Sequence, residues 1–229
     1  MSNKEVPSLS IIIPTLNEAG RLRPVLDALD PTPGDDIIIA DGGSNDDTDE
    51  IAAAQGTRFI VTRPGRGRQL ATGADAATGE WLLFLHADTR LSNGWRDAAL
   101  GFMTAAQNSH RAAVFQFRLD DDAAPARRLE KMVAWRNRTF GLPYGDQALL
   151  ISQHFYKELG GFKELPLMED VDLIRRIGGH RITFLDAEAV TSADRYKKGG
   201  YFLRPLRNLT CLALYFAGLP PRTIERLYR

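Results

Sequence analysis

The chain has 229 residues, 44% of them hydrophobic, and its 29 basic residues are balanced by 29 acidic ones. That composition supplies a sizeable core, and zero formal charge leaves no electrostatic footprint for nucleic acid or an acidic polymer. A single cysteine, Cys211, excludes an internal disulfide, while the short apolar N-terminal run and CLALYFAGL at 211–219 suit neither an export signal nor a membrane span, so a cytoplasmic protein is expected.

The first half alternates strand and helix signals. LSIIIP (9–14) is a short apolar run of the kind buried on both faces of a parallel sheet. Helical spacing follows through Leu22, Val25, Leu26 and Leu29 and stops at PTPG. DIIIAD (36–41) is a second buried strand, TDEIAAAQG a short helix closed by Gly56, and RFIVTR (58–63) a third strand. A Gly/Arg-rich loop then leads to an Ala-rich helix, QLATGADAATG, and to a fourth strand, EWLLFLHAD. Strands alternating with single helices predict βαβ units and a mainly parallel sheet. Such sheets bind ligands at the carboxyl ends of their strands, so the clusters PTLNE, ADGGSND and LHADT are expected on one edge.

The second half is less regular. AAVFQFRL (112–119), DQALLIS and RITFLDAEAV read as strands, and APARRLEKMVAWRNRTFG, QHFYKELGGF and MEDVDLIRRIGG as helices. The last has acidic residues at its start, arginines near its end and a Gly-Gly stop. From Tyr201 onward two helical pieces are split by GLPP. Residues 1–198 are read as one domain, with a nucleotide-binding half to about residue 90 and an acceptor half beyond it. Residues 199–229 are read as a helical extension.

Four constellations carry chemistry. In DGGSNDDT, Asp41 ends a strand before two glycines, among them Gly43; it either organises a turn and helix cap or accepts hydrogen bonds from a base. RPGRGRQ is a solvated loop or a grip on a diphosphate through Arg63, Arg66 and Arg68. His86 and Asp88 lie where the sheet opens, and alternate strand residues share a face; imidazole plus carboxylate suits Mn²⁺ or a similar cation. MEDVDL puts three carboxylates at a helix start, either complementing its dipole or presenting a proton acceptor at the edge of the site. Asp172, two residues past Asp170, is read as structural.

In order, SIIIPTLNE, IIIADGGSNDDT, GEWLLFLHADT and GGFKELPLMEDVDLIRR resemble the family 2 glycosyltransferases of the GT-A fold, over about residues 9–185. The variants DGGS, RGRQ and LHADTR are similar to a small bacterial subgroup of short, soluble members. The resemblance implies an α/β fold with a Rossmann-like, mainly parallel sheet, and inverting transfer of a sugar from a nucleotide-diphosphate donor to an acceptor hydroxyl. It implies that Pro14, Thr15, Asn17 and Glu18, with Asp41 and Gly43, line the nucleotide pocket, joined by His86 and the arginines at 63, 66 and 68. His86-Ala87-Asp88 takes the place of the family's Asp-x-Asp, so Asp88 with His86 would hold Mn²⁺ or Mg²⁺. Asp170 matches the general base, with Glu169 beside it.

Two positions depart from the family pattern. Gly42 stands where many members carry a second aspartate, and His86 replaces the first aspartate of the metal motif, so His86 contacts either metal or substrate. Tyr144, Asp146 and Gln147, between donor half and base, are candidates for donor-sugar or acceptor contacts. The C-terminal tail mixes basic residues with an apolar face. Packing on the domain or on a second subunit is favoured over a peripheral membrane contact at the inner face. The competing functions are a sugar nucleotidyltransferase, which would carry a Gly-rich phosphate loop with a lysine after the first strand, and a non-catalytic nucleotide-sugar-binding regulator.

Overall fold

The structure is a computed structural model that describes residues 6–32 and 34–228. Residues 1–5, on which the export-signal reading partly rests, and Pro33 of the expected PTPG stop lie outside that range.

The first half follows the pattern in the sequence. Strand β1 (Leu9–Thr15) is followed by α1 (Ala19–Leu29), β2 (Asp36–Asp41), α2 (Thr48–Ala54), β3 (Arg58–Val61), α3 (Arg66–Ala76) and β4 (Trp81–Phe84). β1 pairs in parallel with β2 and β4, and β2 with β3. The Ile-rich runs fold as strands because every second side chain enters a different core. Ile11, Ile13, Leu83 and Leu85 pack with α1 on one face, whereas Ile12, Leu82 and Phe84 pack with α3 on the other.

The second half changes direction. It comprises β5 (Thr89–Leu91), α4 (Trp95–Met103), β6 (Ala112–Leu119), α5 (Ala124–Phe140), β7 (Leu149–Ser152), α6 (Gln153–Glu158), α7 (Glu169–Ile177), β8 (Ile182–Thr191), α8 (Asp194–Gly199), α9 (Leu203–Phe216) and α10 (Pro221–Tyr228). The eight strands run in the order β3-β2-β1-β4-β7-β6-β8-β5. β7 is antiparallel to both β4 and β6, and β5 is antiparallel to β8, while β6 and β8 are parallel. The sheet is thus mixed: the first half is wholly parallel, and in the second half only β6 and β8 keep a parallel pairing. β7 inserts in reverse because it enters from the loop 141–148 at the carboxyl edge of β4 and runs back toward that strand's start, Leu149 opposite Phe84 and Ser152 opposite Trp81.

Two local corrections bear on the site. The Gly/Arg-rich stretch is not all loop, because Arg66, Gly67 and Arg68 already belong to the first turn of α3. His86 and Asp88 are not strand residues either. β4 ends at Phe84, and the chain turns through 85–88 with Thr89 N–H bonded to the His86 carbonyl.

The tail packs on the body of the fold. Cys211, Leu212 and Ile224 of α9 and α10 bury against Met168 and Val171 at the start of α7. No helix among the described residues is long and apolar enough to cross a membrane.

Candidate active site

The carboxyl ends of β1, β2 and β4 lie side by side, so the three polar clusters do meet on one edge of the sheet. They are used differently. Beside β1 and β2 the loops are sewn to each other. Asp41, only 2% exposed, accepts from the Thr15 hydroxyl at 2.9 Å, from the amides of Gly43 and Ser44 at 2.7 Å each, and from the Ser44 hydroxyl at 2.5 Å. Burial pushes its pKa up, but these four donors, led by Ser44, outweigh it and hold the carboxyl below its usual value. Asp41 thus organises the turn, its oxygens held by donors of the loop itself.

The same loop fixes its neighbours. Asn17, at φ 55°, donates its amide to Ser44 Oγ and accepts from Asn45 N–H on its side-chain oxygen. Pro14 and Thr15 are buried, Gly43 is exposed, and the backbone N–H of Glu18 is bonded to Thr48. Gln69 of α3 reaches under this loop and donates to the carbonyls of Thr15 and Ala40 at 2.6 and 2.9 Å. A Cβ on Gly42 would stand 3.2 Å from the Gln69 amide nitrogen. The Gln69 amide occupies the space beside Gly42, so a side chain there would require Gln69 to shift.

Beyond the end of β4 opens a cleft. His86 and Asp88 line it from the turn, Arg66 from α3, Tyr144, Gly145 and Asp146 from the loop before β7, and Asp170 from the first turn of α7. The alternation of β4 explains the turn: Leu83, Leu85 and Ala87 belong to the α1-side core, which leaves His86 and Asp88 on the side of α3 and α7. Arg195 of α8 and Arg204 and Asn208 of α9 close the far side.

Asp170 is held by two amides, its Oδ2 accepting from Gly145 N–H and its Oδ1 from Val171 N–H, both at 2.8 Å. Gly145 is glycine for steric reasons, since a Cβ there would lie 2.8 Å from His86 Nε2 and 3.2 Å from Asp170 Oδ2. His86 and the Asp170 carboxylate thus approach each other across a residue with no side chain.

The electrostatics are those of a crowded acidic cleft lined by arginines. Burial, then the nearby Arg66 charge, lowers the His86 pKa to about 4, so its imidazole is neutral at physiological pH. Asp146 is pushed up to about 6 by burial, helped by the charges of Asp170 and Asp88 and opposed by Arg136, and its Oδ1 is buried without a hydrogen-bond partner. Tyr144 lies under the Arg136 guanidinium, 3.6 Å from its ring centroid. Glu169, 1% exposed, is paired with Arg66 Nε rather than facing the cleft, which corrects its expected catalytic place. Burial raises its pKa, with Arg66 opposing.

Three other expected contacts lie elsewhere. Gln147 is fully buried, donating to the Phe115 carbonyl and accepting from Asn137, both at 2.9 Å; it braces the loop rather than meeting a sugar. Arg63 is exposed away from the cleft, and Arg68 pairs with Glu164 at 2.5 Å. Of the three loop arginines only Arg66 lines the cleft. Asp172 pairs with Arg176 and Lys163.

Arg195, which sequence reasoning did not single out, lies 3.7 Å from Asp88 and 3.9 Å from Glu18, and so joins the end of β4 to the loop after β1. No motif points to it.

A curled mixed sheet with this cleft at the strand ends is the GT-A glycosyltransferase fold, and solved structures share it. A mannosyltransferase from Pyrobaculum calidifontis, in complex with GDP-Man and Mn²⁺, is 20% identical with a TM-score of 0.70, covering 98% of this chain and 69% of that one. Glucosyl-3-phosphoglycerate synthase from Mycobacterium tuberculosis, with Mn²⁺, UDP and glucosyl-3-phosphoglycerate, is 21% identical with a TM-score of 0.55, covering 81% and 70%. Among curated relatives, a PGL/p-HBAD biosynthesis glycosyltransferase of Mycobacterium bovis is 45% identical over 94 residues, 37% of each chain. The chain thus spans little more than a third of the length of that relative. The family described as Glycosyl transferase family 2 matches residues 10–155, and the chain belongs to it.

Proposed function

We propose that the protein transfers a sugar, with inversion, from a nucleotide-diphosphate sugar to an acceptor hydroxyl, with Asp170 as general base. The observation that carries this reading is that Asp170 and the His86–Asp88 pair line one cleft, on opposite sides of the side-chain-free Gly145. Asp170, fixed by two amides, takes the proton of the attacking hydroxyl as oxygen closes on the anomeric carbon from the face opposite the diphosphate. Arg66, aimed by Glu169, and Arg195 neutralise charge on the leaving diphosphate.

The residues lining the cleft are of the kind a divalent cation takes. His86, the Asp88 carboxylate and the unpartnered oxygen of Asp146 would supply mixed nitrogen and oxygen donors suited to Mn²⁺ or Mg²⁺ once their side chains close on it. Such an ion supplies positive charge against the departing diphosphate. The mannosyltransferase and synthase complexes, both with Mn²⁺, support the reading.

Residues 1–198 are read as the transferase domain and 199–229 as an extension whose Arg204 and Asn208 complete the acceptor side. Exposed Leu206, Leu209 and Phe216 form an outward apolar stripe on α9, consistent with a cytoplasmic protein that meets a second chain or a membrane face there.

The test is calorimetric titration with a panel of nucleotide sugars, with and without Mn²⁺, on wild type, Asp88→Ala and Asp170→Asn. Metal-dependent binding of one donor is expected, lost in Asp88→Ala but kept in Asp170→Asn. Turnover of Asp170→Asn should fall about 10²- to 10⁴-fold once an acceptor is found. Absence of binding by every nucleotide sugar would overturn the proposal.

A further inference from the structure

We propose that His110, His154 and Glu158 form a second metal site, for Zn²⁺ or a similar imidazole-seeking divalent cation, on the edge of the sheet opposite the sugar-transfer cleft. That edge is defined by Trp81, Ser152, Ala112 and Ile182, which pair across β4, β7, β6 and β8 at the starts of β4, β6 and β8 and the end of β7. The cleft lies at the other end of β4. The site is therefore separate from the glycosyltransferase chemistry and does not rest on it.

Two segments distant in sequence build it. His154 and Glu158 are four apart on α6 and so share one helix face. His110 arrives from the turn before β6. Glu158 stands between the two rings, with Oε2 3.2 Å from His110 Nε2 and Oε1 3.3 Å from His154 Nε2. One ligand atom from each residue falls within 4.8 Å of the others. Tetrahedral zinc with ligands at 2.0–2.1 Å needs ligand atoms about 3.4 Å apart. Each His–Glu separation is near that value but to a different carboxylate oxygen, so one shared oxygen and the two imidazole nitrogens have to close together from within 4.8 Å. All three side chains are substantially exposed, so small χ rotations can do this without moving the core.

The surroundings orient the ligands. Ser109 Oγ lies 3.1 Å from His110 Nδ1, which leaves Nε2 to face Glu158, the outer-shell arrangement that sets the tautomer of a ligating imidazole. The backbone beneath is fixed by Ser152, whose hydroxyl caps α6 at Phe155 N–H and donates to the Ser109 carbonyl at 2.7 Å. His110 is further seated against the Phe155 ring, with centroids 5.6 Å apart. Three of the chain's four histidines lie outside the cleft, and two of them meet here.

The donor set separates this site from the cleft. Two imidazoles and one carboxylate favour Zn²⁺, Ni²⁺ or Cu²⁺ over Mg²⁺, which takes oxygen ligands. An ion here ties the turn before β6 to the helix after β7, and because the unfolded chain does not assemble the three ligands, occupancy stabilises the fold by mass action.

The test uses full-length protein without a histidine tag, carrying Asp88→Ala to remove a ligand of the sugar-transfer cleft. Calorimetry with Zn²⁺, backed by the absorption spectrum of bound Co²⁺, is expected to show one ion per chain. Binding should weaken by more than about tenfold in each of His110→Ala, His154→Ala and Glu158→Gln, and millimolar Mg²⁺ should not displace it. These substitutions are on exposed side chains, and circular dichroism checks that each variant is folded. Absence of Zn²⁺ binding, or binding indifferent to either histidine, would overturn the proposal.

Discussion

Asp146 holds its carboxyl in a place that disfavours charge. Its pKa is raised to about 6 by burial and by its acidic neighbours, so the folded state binds this proton more tightly than the unfolded chain does. The sign follows: ionisation of Asp146 costs stability, none below the unfolded value near 4, increasingly as pH rises to about 6, and constant above. Asp146→Asn should remove that cost. In EDTA the variant should be more stable than wild type at pH 7, by on the order of 2 kcal/mol, with the gap closing as pH falls toward 4. Thermal denaturation across pH 4–8 measures it, and a gap that persists unchanged at pH 4 would refute the assignment of cause. Added Mn²⁺ should favour wild type if the free Asp146 oxygen is a ligand.

At the level of elements, the cleft depends on how α3 and α7 meet. Arg66 opens one helix and Glu169 the other, and their ion pair is nearly closed to solvent on the glutamate side. Glu169→Gln would keep the shape but leave the Arg66 charge with a weaker partner, at a cost of about 1–3 kcal/mol, since Arg66 retains contact with water. On the proposed reading Arg66 meets the donor diphosphate and not the acceptor, so loss of its partner should raise the donor KM and leave the acceptor KM unchanged. Steady-state kinetics separate the two, and an unchanged donor KM would place Arg66 outside the binding machinery. α9 is the other element that matters. Its inward face supplies Arg204 and Asn208 to the cleft while Cys211 and Leu212 anchor it on α7.

Across the molecule, legibility tracks how local the cause is. β1, β2 and β4 were readable because burial on both faces leaves continuous apolar runs, and the residues just past their ends followed from the topology. β5 has three residues and α8 six, too short for any periodicity. The reversal at β7 was not readable, since DQALLIS shows a strand but not its partner or direction. The same limit governs the site. Asp88 and Asp170 stood in recognisable surroundings, whereas Arg195, Arg204 and Asn208 reach the cleft from more than a hundred residues beyond β4, with no spacing to betray them. Asp41 was legible as important but not in role, because its four internal donors come from side chains and amides that only the folded loop brings together.

The one cysteine has a use of its own. Cys211 is 2% exposed, at the seam between α9 and α7, and burial raises its pKa. A thiol reagent can therefore reach it only when α9 lifts away from α7 or α10 lifts away from α9, and no other sulfhydryl competes for the label. Labelling kinetics would time that lifting directly. Donor and acceptor that engage Arg204 and Asn208 should slow the reaction severalfold, and labelling at the rate of a free thiol would show that α9 does not stay docked. The chain carries a built-in stopwatch for the roof of its active site.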